Sequence, residues 1–141
     1  MLLVEDGNVL SALDVLSKDI LHRGERFAAS GLSTVVTDEN HRRRGYGHRL
    51  VVAARHLIEE SGADLGIFTC DVSLQPFYER AGWEVMPGTV LIGGTPGAPF
   101  PSDQSEKVTM TCFFSERAAE RRSTFLRARV ELHPGTIDKL W

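Results

Sequence analysis

The 141-residue sequence has little cysteine: Cys70 and Cys112 are its two, and neither sits in a CxxC pair or in a His/Cys cluster with metal-ligand spacing. That pattern argues against a disulfide-stapled scaffold and offers no metal site, so both are expected as buried thiols in a reducing compartment. Long apolar runs are missing too, and nothing approaches the roughly 18 residues that a membrane span needs. The opening Met-Leu-Leu-Val meets Glu5 and Asp6 at once and has no basic flank, unlike a signal peptide. An excess of one charge is also lacking. The net charge of −3 argues against non-specific nucleic-acid binding, although Arg42–Arg44 and Arg117, Arg121 and Arg122 form local basic runs. The expectation is a cytoplasmic protein without metal, nucleic-acid or membrane partners.

Hydrophobic residues make up 42% of the chain, enough for a core, and the length suits one domain over residues 1–141. After a short apolar run, Asp6-Gly7 signals a hairpin turn, and Asn8–Lys18 reads as a strand with Val9, Ser11, Leu13, Val15 and Ser17 on one face. Arg23-Gly24 is a second turn, before a strand over Phe27–Thr37. Leu50, Val51, Ala54, Leu57 and Ile58 recur at helical spacing in Tyr46–Ser61, and Gly62 stops that helix. Leu65–Phe68 reads as a buried strand and Pro76–Ala81 as a short helix closed by Gly82. Gly88–Pro101, rich in glycine and proline, reads as a long loop. Val108–Phe114 and Thr124–Leu132 read as strands. Two strands joined through a helix imply a parallel pair inside a mostly antiparallel sheet, hence a mixed α+β fold.

The segment from Val35 through Asp38 to Leu50 carries the chemistry. A β-branched strand enters a basic turn with Gly45 and Gly47, and an amphipathic helix follows directly. Helix N-termini offer unpaired N–H groups and the positive end of a dipole, so such a turn suits phosphate. The third glycine of a dinucleotide fingerprint and the Gly-Lys-Ser/Thr of a Walker loop are both missing. Further on comes Phe77-Tyr78-Glu79-Arg80-Ala81-Gly82-Trp83.

Together the two segments resemble the motifs of the GNAT superfamily, the Gcn5-related N-acetyltransferases. The first matches Q/R-x-x-G-x-G/A as Arg42-x-x-Gly45-x-Gly47; the second matches a Tyr-x-x-x-Gly-aromatic signature. The resemblance implies the GNAT fold, with the parallel strands at 33–37 and 65–70 splayed apart, and an acetyl-CoA-dependent N-acetyltransferase acting on a primary amine. By it, Arg42, Arg43, Arg44, Gly45, Tyr46, Gly47 and His48 hold the CoA pyrophosphate, and main-chain groups of Val35, Val36 and Thr37 bind the pantetheine arm. Tyr78 would protonate the departing thiolate. Phe77 and Trp83 are expected in the core. A catalytically silent acyl-CoA-binding module is the competing reading.

Gly82-Trp83, the Gly-Thr-Val step at 88–90, the Gly/Pro loop to Pro101, the acidic patch from Asp103 to Glu106, the two strands after it, the terminal tryptophan and the Leu21-His22-Arg23-Gly24 turn resemble aminoglycoside 2'-N-acetyltransferases. That resemblance implies a cationic acceptor held by Asp103, Glu106, Asp138 and the Trp141 carboxylate. Ser33 stands where those enzymes carry a glutamate that acts as base through water. Asp14, Asp38 or a water chain are the alternatives for that role. The resemblance aligns Met1 with the family's second strand, so the strand and helix pair that usually come first are not represented. An uncovered sheet edge, and a homodimer through it, are the expectation.

Overall fold

Two tight turns organise the first half of the chain. In Asp6-Gly7 and Arg23-Gly24 both residues have positive φ, 50° and 78° in the first and 49° and 78° in the second. Consecutive positive φ values match the twist of the flanking strands, so each turn closes a hairpin. The result, in a computed structural model that describes residues 1–134 and Trp141, is a meander of β1 (Leu2–Glu5), β2 (Asn8–His22) and β3 (Glu25–Thr37). The long hairpin runs past the expected ends because its register continues to His22 opposite Glu25.

The expected single face of β2 does not form. Leu10, Ser11 and Leu13 are buried while Val9 is exposed. The cause is a bulge at Leu10, since β1 pairs Leu3 with Ser11 but Val4 with Val9 and so leaves one extra residue in β2; a second shift, between Ala12 and Asp14, places a bulge in β3 where Thr34 takes φ of 53°. An extra residue in one strand reverses the alternation beyond it and bends the strand.

Helix α1 (Tyr46–Glu60) buries Leu50, Val51, Ala54 and Ile58; Leu57 is exposed instead of buried. Strand β4 (Leu65–Asp71) follows, then α2 (Gln75–Arg80) and a short β5 (Glu84–Val85). The expected loop at 88–101 is in fact a hairpin of β6 (Val90–Thr95) and β7 (Ala98–Pro101). Its prolines are tolerated because β7 lies at a sheet edge. Gly94 is obligatory there, since it has φ of 69° and a Cβ would lie 2.3 Å from the Ala98 carbonyl oxygen.

Strand β8 (Lys107–Phe113) leads into two short helices, α3 (Glu116–Glu120) and α4 (Arg122–Phe125), and then β9 (Arg129–Glu131). The expected strand at 124–132 thus begins as helix. Phe125 is fully buried, with its ring stacked on His22 at 4.2 Å and edge-on to Phe27 and Phe113 at 5.6 Å. That packing outweighs an alternating pattern that reads as β.

The main sheet has the order β1-β2-β3-β4-β8-β5, and a second sheet has β7-β6-β9. In the main sheet β3 and β4 alone run parallel, and their pairing is limited to Ala29 with Leu65 and Ser30 with Gly66. On its other side β4 pairs with β8 over its whole length, from Leu65–Phe113 to Asp71–Lys107. Beyond Ser30, therefore, β3 parts from β4 and a gap opens inside an otherwise continuous sheet. No helix among the described residues is long and apolar enough to cross a membrane.

Candidate active site

The gap between β3 and β4 is an open cleft of about 630 Å³. Leu32, Ser33, Thr34 and Val35 line it from β3 and Thr69, Cys70 and Asp71 from β4; Leu74, Tyr78, Phe100, Ser105, Lys107 and Trp141 complete the lining. Trp141 is buried in this wall. It is 4% exposed, and its main-chain oxygen accepts from both the amide and the hydroxyl of Thr69, the amide at 2.8 Å. The Thr69 N–H belongs to the β4 edge that β3 has left, so Trp141 replaces the missing ladder partner. Gly31 makes room for this: a Cβ there would lie 2.5 Å from the Ile67 carbonyl oxygen and 2.5 Å from the Trp141 ring.

A second cleft, of about 380 Å³, lies at the start of α1 and is lined by Thr37, Arg42, Arg43, Gly45, Tyr46, Gly47, His48, Phe77 and Arg80. Gly45 is the N-cap, with φ of 79° and no side-chain cap bond, and a Cβ on it would meet open space. The first helical bond runs from Arg49 N to Gly45 O, so the amides of residues 46–48 have no partner within the helix. Arg43 also takes a positive φ, 65°, which helps the turn wrap back on the helix start. Three guanidinium groups and no carboxylate line this cleft among the described residues. Its nearest acid, Asp38, is occupied: it caps a turn through the Asn40 amide at 3.1 Å and binds His41 Nδ1 at 3.0 Å, and these bonds hold its carboxyl below the ordinary range.

Gly47 is set by packing. A Cβ would lie 3.0 Å from Thr37 Oγ1 and 3.5 Å from the Phe77 ring. Gly47→Val is expected to push Thr37 and α2 away from α1 and to weaken binding of a phosphate ligand by roughly tenfold, as overpacking of a tight contact does. Titration calorimetry checks this, and an unchanged affinity would show that the cradle does not depend on this contact.

Tyr78 joins the two clefts through its neighbour Phe77. Its ring packs edge-on against Phe68 and Phe77, each at 4.9 Å, and it is 5% exposed. Burial, with smaller contributions from Cys70 and Asp71, pushes its phenol up to about 12. No hydrogen bond within the described residues engages the hydroxyl, which therefore stays a proton donor at neutral pH. Cys70, in the same wall, is pushed up to about 11, chiefly by burial, and remains a thiol.

Several expected site residues meet here and others do not. Arg42, Arg43, Gly45, Tyr46, Gly47 and His48 line the phosphate-type cradle; Arg44 is exposed outside it. Val35 faces the main cleft and Thr37 the cradle, but Val36 is exposed and its carbonyl accepts from Ser11 Oγ at 2.8 Å. Ser33 lines the main cleft, whereas neither Asp14 nor Asp38 does. Phe77 and Trp83 pack in or against the core as expected. Of the four acceptor-binding candidates, Trp141 lines the cleft. Asp103 faces Arg129 at 3.4 Å, Glu106 is exposed, and Asp138 lies outside the described residues.

Sequence reasoning missed Arg80, three residues after Phe77 and so on the same face of α2; that spacing was the available signal. It also missed Asp71 and Lys107, which the β4–β8 register brings together, and Ser105 and Phe100, which come from the segment before β8 and from β7 of the second sheet.

The comparisons with known proteins agree with this geometry. A family profile described as an acetyltransferase (GNAT) domain matches residues 1–86, more than half of the chain. No curated protein matches the sequence. Among solved structures, the fold resembles a GNAT family N-acetyltransferase from Escherichia coli in complex with CoA, with TM-score 0.59, 21% identity, and coverage of 92% of this chain and 63% of that one. A Bacillus subtilis acetyltransferase in complex with CoA gives 0.54 at 12% identity, covering 79% and 74%. A GCN5-related N-acetyltransferase from Kribbella flavida gives 0.53 at 20% identity, covering 60% of this chain but 21% of that one. The chain thus spans about a fifth of the length of some relatives and under two thirds of others. The profile match over the meander, the cradle and the Tyr78 segment settles the family: the chain belongs to the GNAT acetyltransferase domain family.

Proposed function

We propose that the protein transfers an acetyl group from acetyl-CoA to a primary amine. The observation that carries this is that the two clefts are lined by neighbouring residues of α2, Phe77 in one and Tyr78 in the other. An anion-binding helix start with three guanidinium groups leads, past Phe77, to a gap in the sheet where the Tyr78 phenol is held protonated. The cradle fits a pyrophosphate, because it offers uncapped amides, positive charge and no competing carboxylate. The strand edge freed at the splay, with its bulge at Thr34, fits an extended pantetheine arm and aims main-chain N–H groups into the cleft.

Acetyl-CoA supplies an activated thioester carbonyl. The acceptor's neutral amine attacks that carbon, its N–C bond forms and the C–S bond breaks. The thiolate takes its proton from Tyr78, and the amine gives up its own to solvent or to a cleft carboxylate. Tyr78 then recovers a proton from water. Cys70, held as a thiol, is unsuited to form an acyl intermediate, which favours direct transfer. Holding both reactants in one cleft supplies much of the rate.

Thiol release from acetyl-CoA over a panel of primary amines, aminoglycosides among them, tests the proposal. Release that depends on an amine supports it. Calorimetric binding of acetyl-CoA with no release from any amine would favour the silent acyl-CoA-binding module, to which Ser33 in place of a carboxylate lends some weight.

The protein is further proposed to form a homodimer through the β1 edge, where Leu2 and Val4 are 62% and 52% exposed. Light scattering at micromolar concentration is expected to give twice the chain mass, and the chain mass alone would exclude it.

A further inference from the structure

Asp71 carries the one acidic and Lys107 the one basic side chain among the described lining residues of the main cleft. They are direct partners across the β4–β8 ladder, and Lys107 Nζ lies 2.7 Å from Asp71 Oδ1. Their backbone is fixed on both sides, since the Val72 amide donates to the Glu106 carbonyl and the Lys107 amide to the Ser105 carbonyl, at 3.3 Å and 2.8 Å. Asp71 is also close enough to Tyr78 for its charge to act on the phenol. The pair lines the same cleft as Tyr78, and both of its charges are open to solvent, the Asp71 side chain 60% and the Lys107 side chain 32% exposed.

A multiply charged cation gains little from such a pair, because Lys107 repels it and Asp71 is already neutralised. Of the two acids shortly before Lys107, Asp103 faces Arg129, and Glu106 is exposed and outside the lining of the cleft. A ligand carrying both an ammonium and a carboxylate can open the pair and satisfy each half, its carboxylate on Lys107 and its ammonium on Asp71, in a ring of four alternating charges.

We infer that Asp71 and Lys107 are specificity residues that select an acceptor bearing a carboxylate beside its amine, an amino acid or a compound built like one, in preference to a polycation. This rests on the transferase reading and names its acceptor class. Asp71 has a second use in it, as the group nearest the bound ammonium that can take its proton before attack.

The test uses matched pairs, an amino acid and the amine left by its decarboxylation, titrated into the CoA-loaded protein and assayed for thiol release. The wild type is expected to bind and acetylate the carboxylated member better by about tenfold or more, the scale of one charge-assisted hydrogen bond. Lys107→Met, which frees Asp71 for cations, is expected to remove that preference and to raise binding of the decarboxylated amine. Preference of the wild type for the decarboxylated amine or an aminoglycoside would overturn the inference, as would equal losses for both members in Lys107→Met or no binding of either. Acetyl-CoA titrated alone in the same series reports separately on the transferase reading, whose failure would show as loss of that binding.

Discussion

Tyr78→Phe is expected to lower the rate of amine-dependent thiol release by about a hundredfold or more, the usual scale for loss of a general acid, while acetyl-CoA affinity changes little. The substitution keeps the ring, and so keeps the edge-on packing against Phe68 and Phe77. What it removes is the one hydroxyl in the cleft that burial holds protonated up to about 12. Steady-state kinetics at saturating acetyl-CoA, paired with calorimetry, separates the two effects. A variant that keeps most of its kcat would mean that water, not the phenol, protonates the thiolate. The same group gives a pH signature. Its folded value lies above the ordinary 10, so the stability it contributes is fully present below pH 10 and is lost as pH rises toward 12. Wild type should therefore lose more stability than Tyr78→Phe across that window, measured by denaturant unfolding.

Gly31→Val is expected to destabilise the protein by roughly 2 to 3 kcal/mol, or about 5–10 °C in Tm, and to reduce acetyl transfer further than the lost stability explains. A Cβ at 31 collides with a main-chain oxygen, Ile67 O, and with the Trp141 ring, and a backbone carbonyl has little room to move. Relief requires Trp141 to leave, and then the Thr69 amide and hydroxyl lose the oxygen that satisfies them. The splay would close or fill with water, and the wall facing Val35 would be lost. Thermal unfolding and transfer assays on one preparation test this together. Unchanged stability and activity would show that Trp141 does not seat between β3 and β4 in solution.

Much of this architecture is local, and what is local can be read from the chain. Asp6-Gly7 and Arg23-Gly24 announce their hairpins because only a few residue types accept consecutive positive φ. The apolar spacing at 50–58 announces α1. Arg42, Gly45 and Gly47 announce the basic turn into α1, where Gly45 takes φ of 79° and Gly47 packs against Thr37 and Phe77. Features that depend on distant partners are silent. Thr34 adopts φ of 53° although a β-branched residue resists it, so the bulge is imposed by the β2–β3 register and not by its own propensity. The glycines and prolines of 88–101 suggest a loop until a neighbouring strand, β9, makes β6 the centre of a second sheet. Phe125 joins the core as helix because His22, Phe27 and Phe113 already wall a slot for its ring. Trp141 reaches Thr69 across 72 residues, and Asp71 reaches Lys107 across 36, separations at which no local pattern survives.

The α1 cradle and the β3–β4 gap are expected to form one site for acetyl-CoA, and calorimetric titration of the protein with acetyl-CoA tests this most directly. One-to-one binding that weakens as salt rises is expected, because Arg42, Arg43 and Arg80 line the cradle. Absence of both heat and thermal stabilisation at millimolar acetyl-CoA would contradict it.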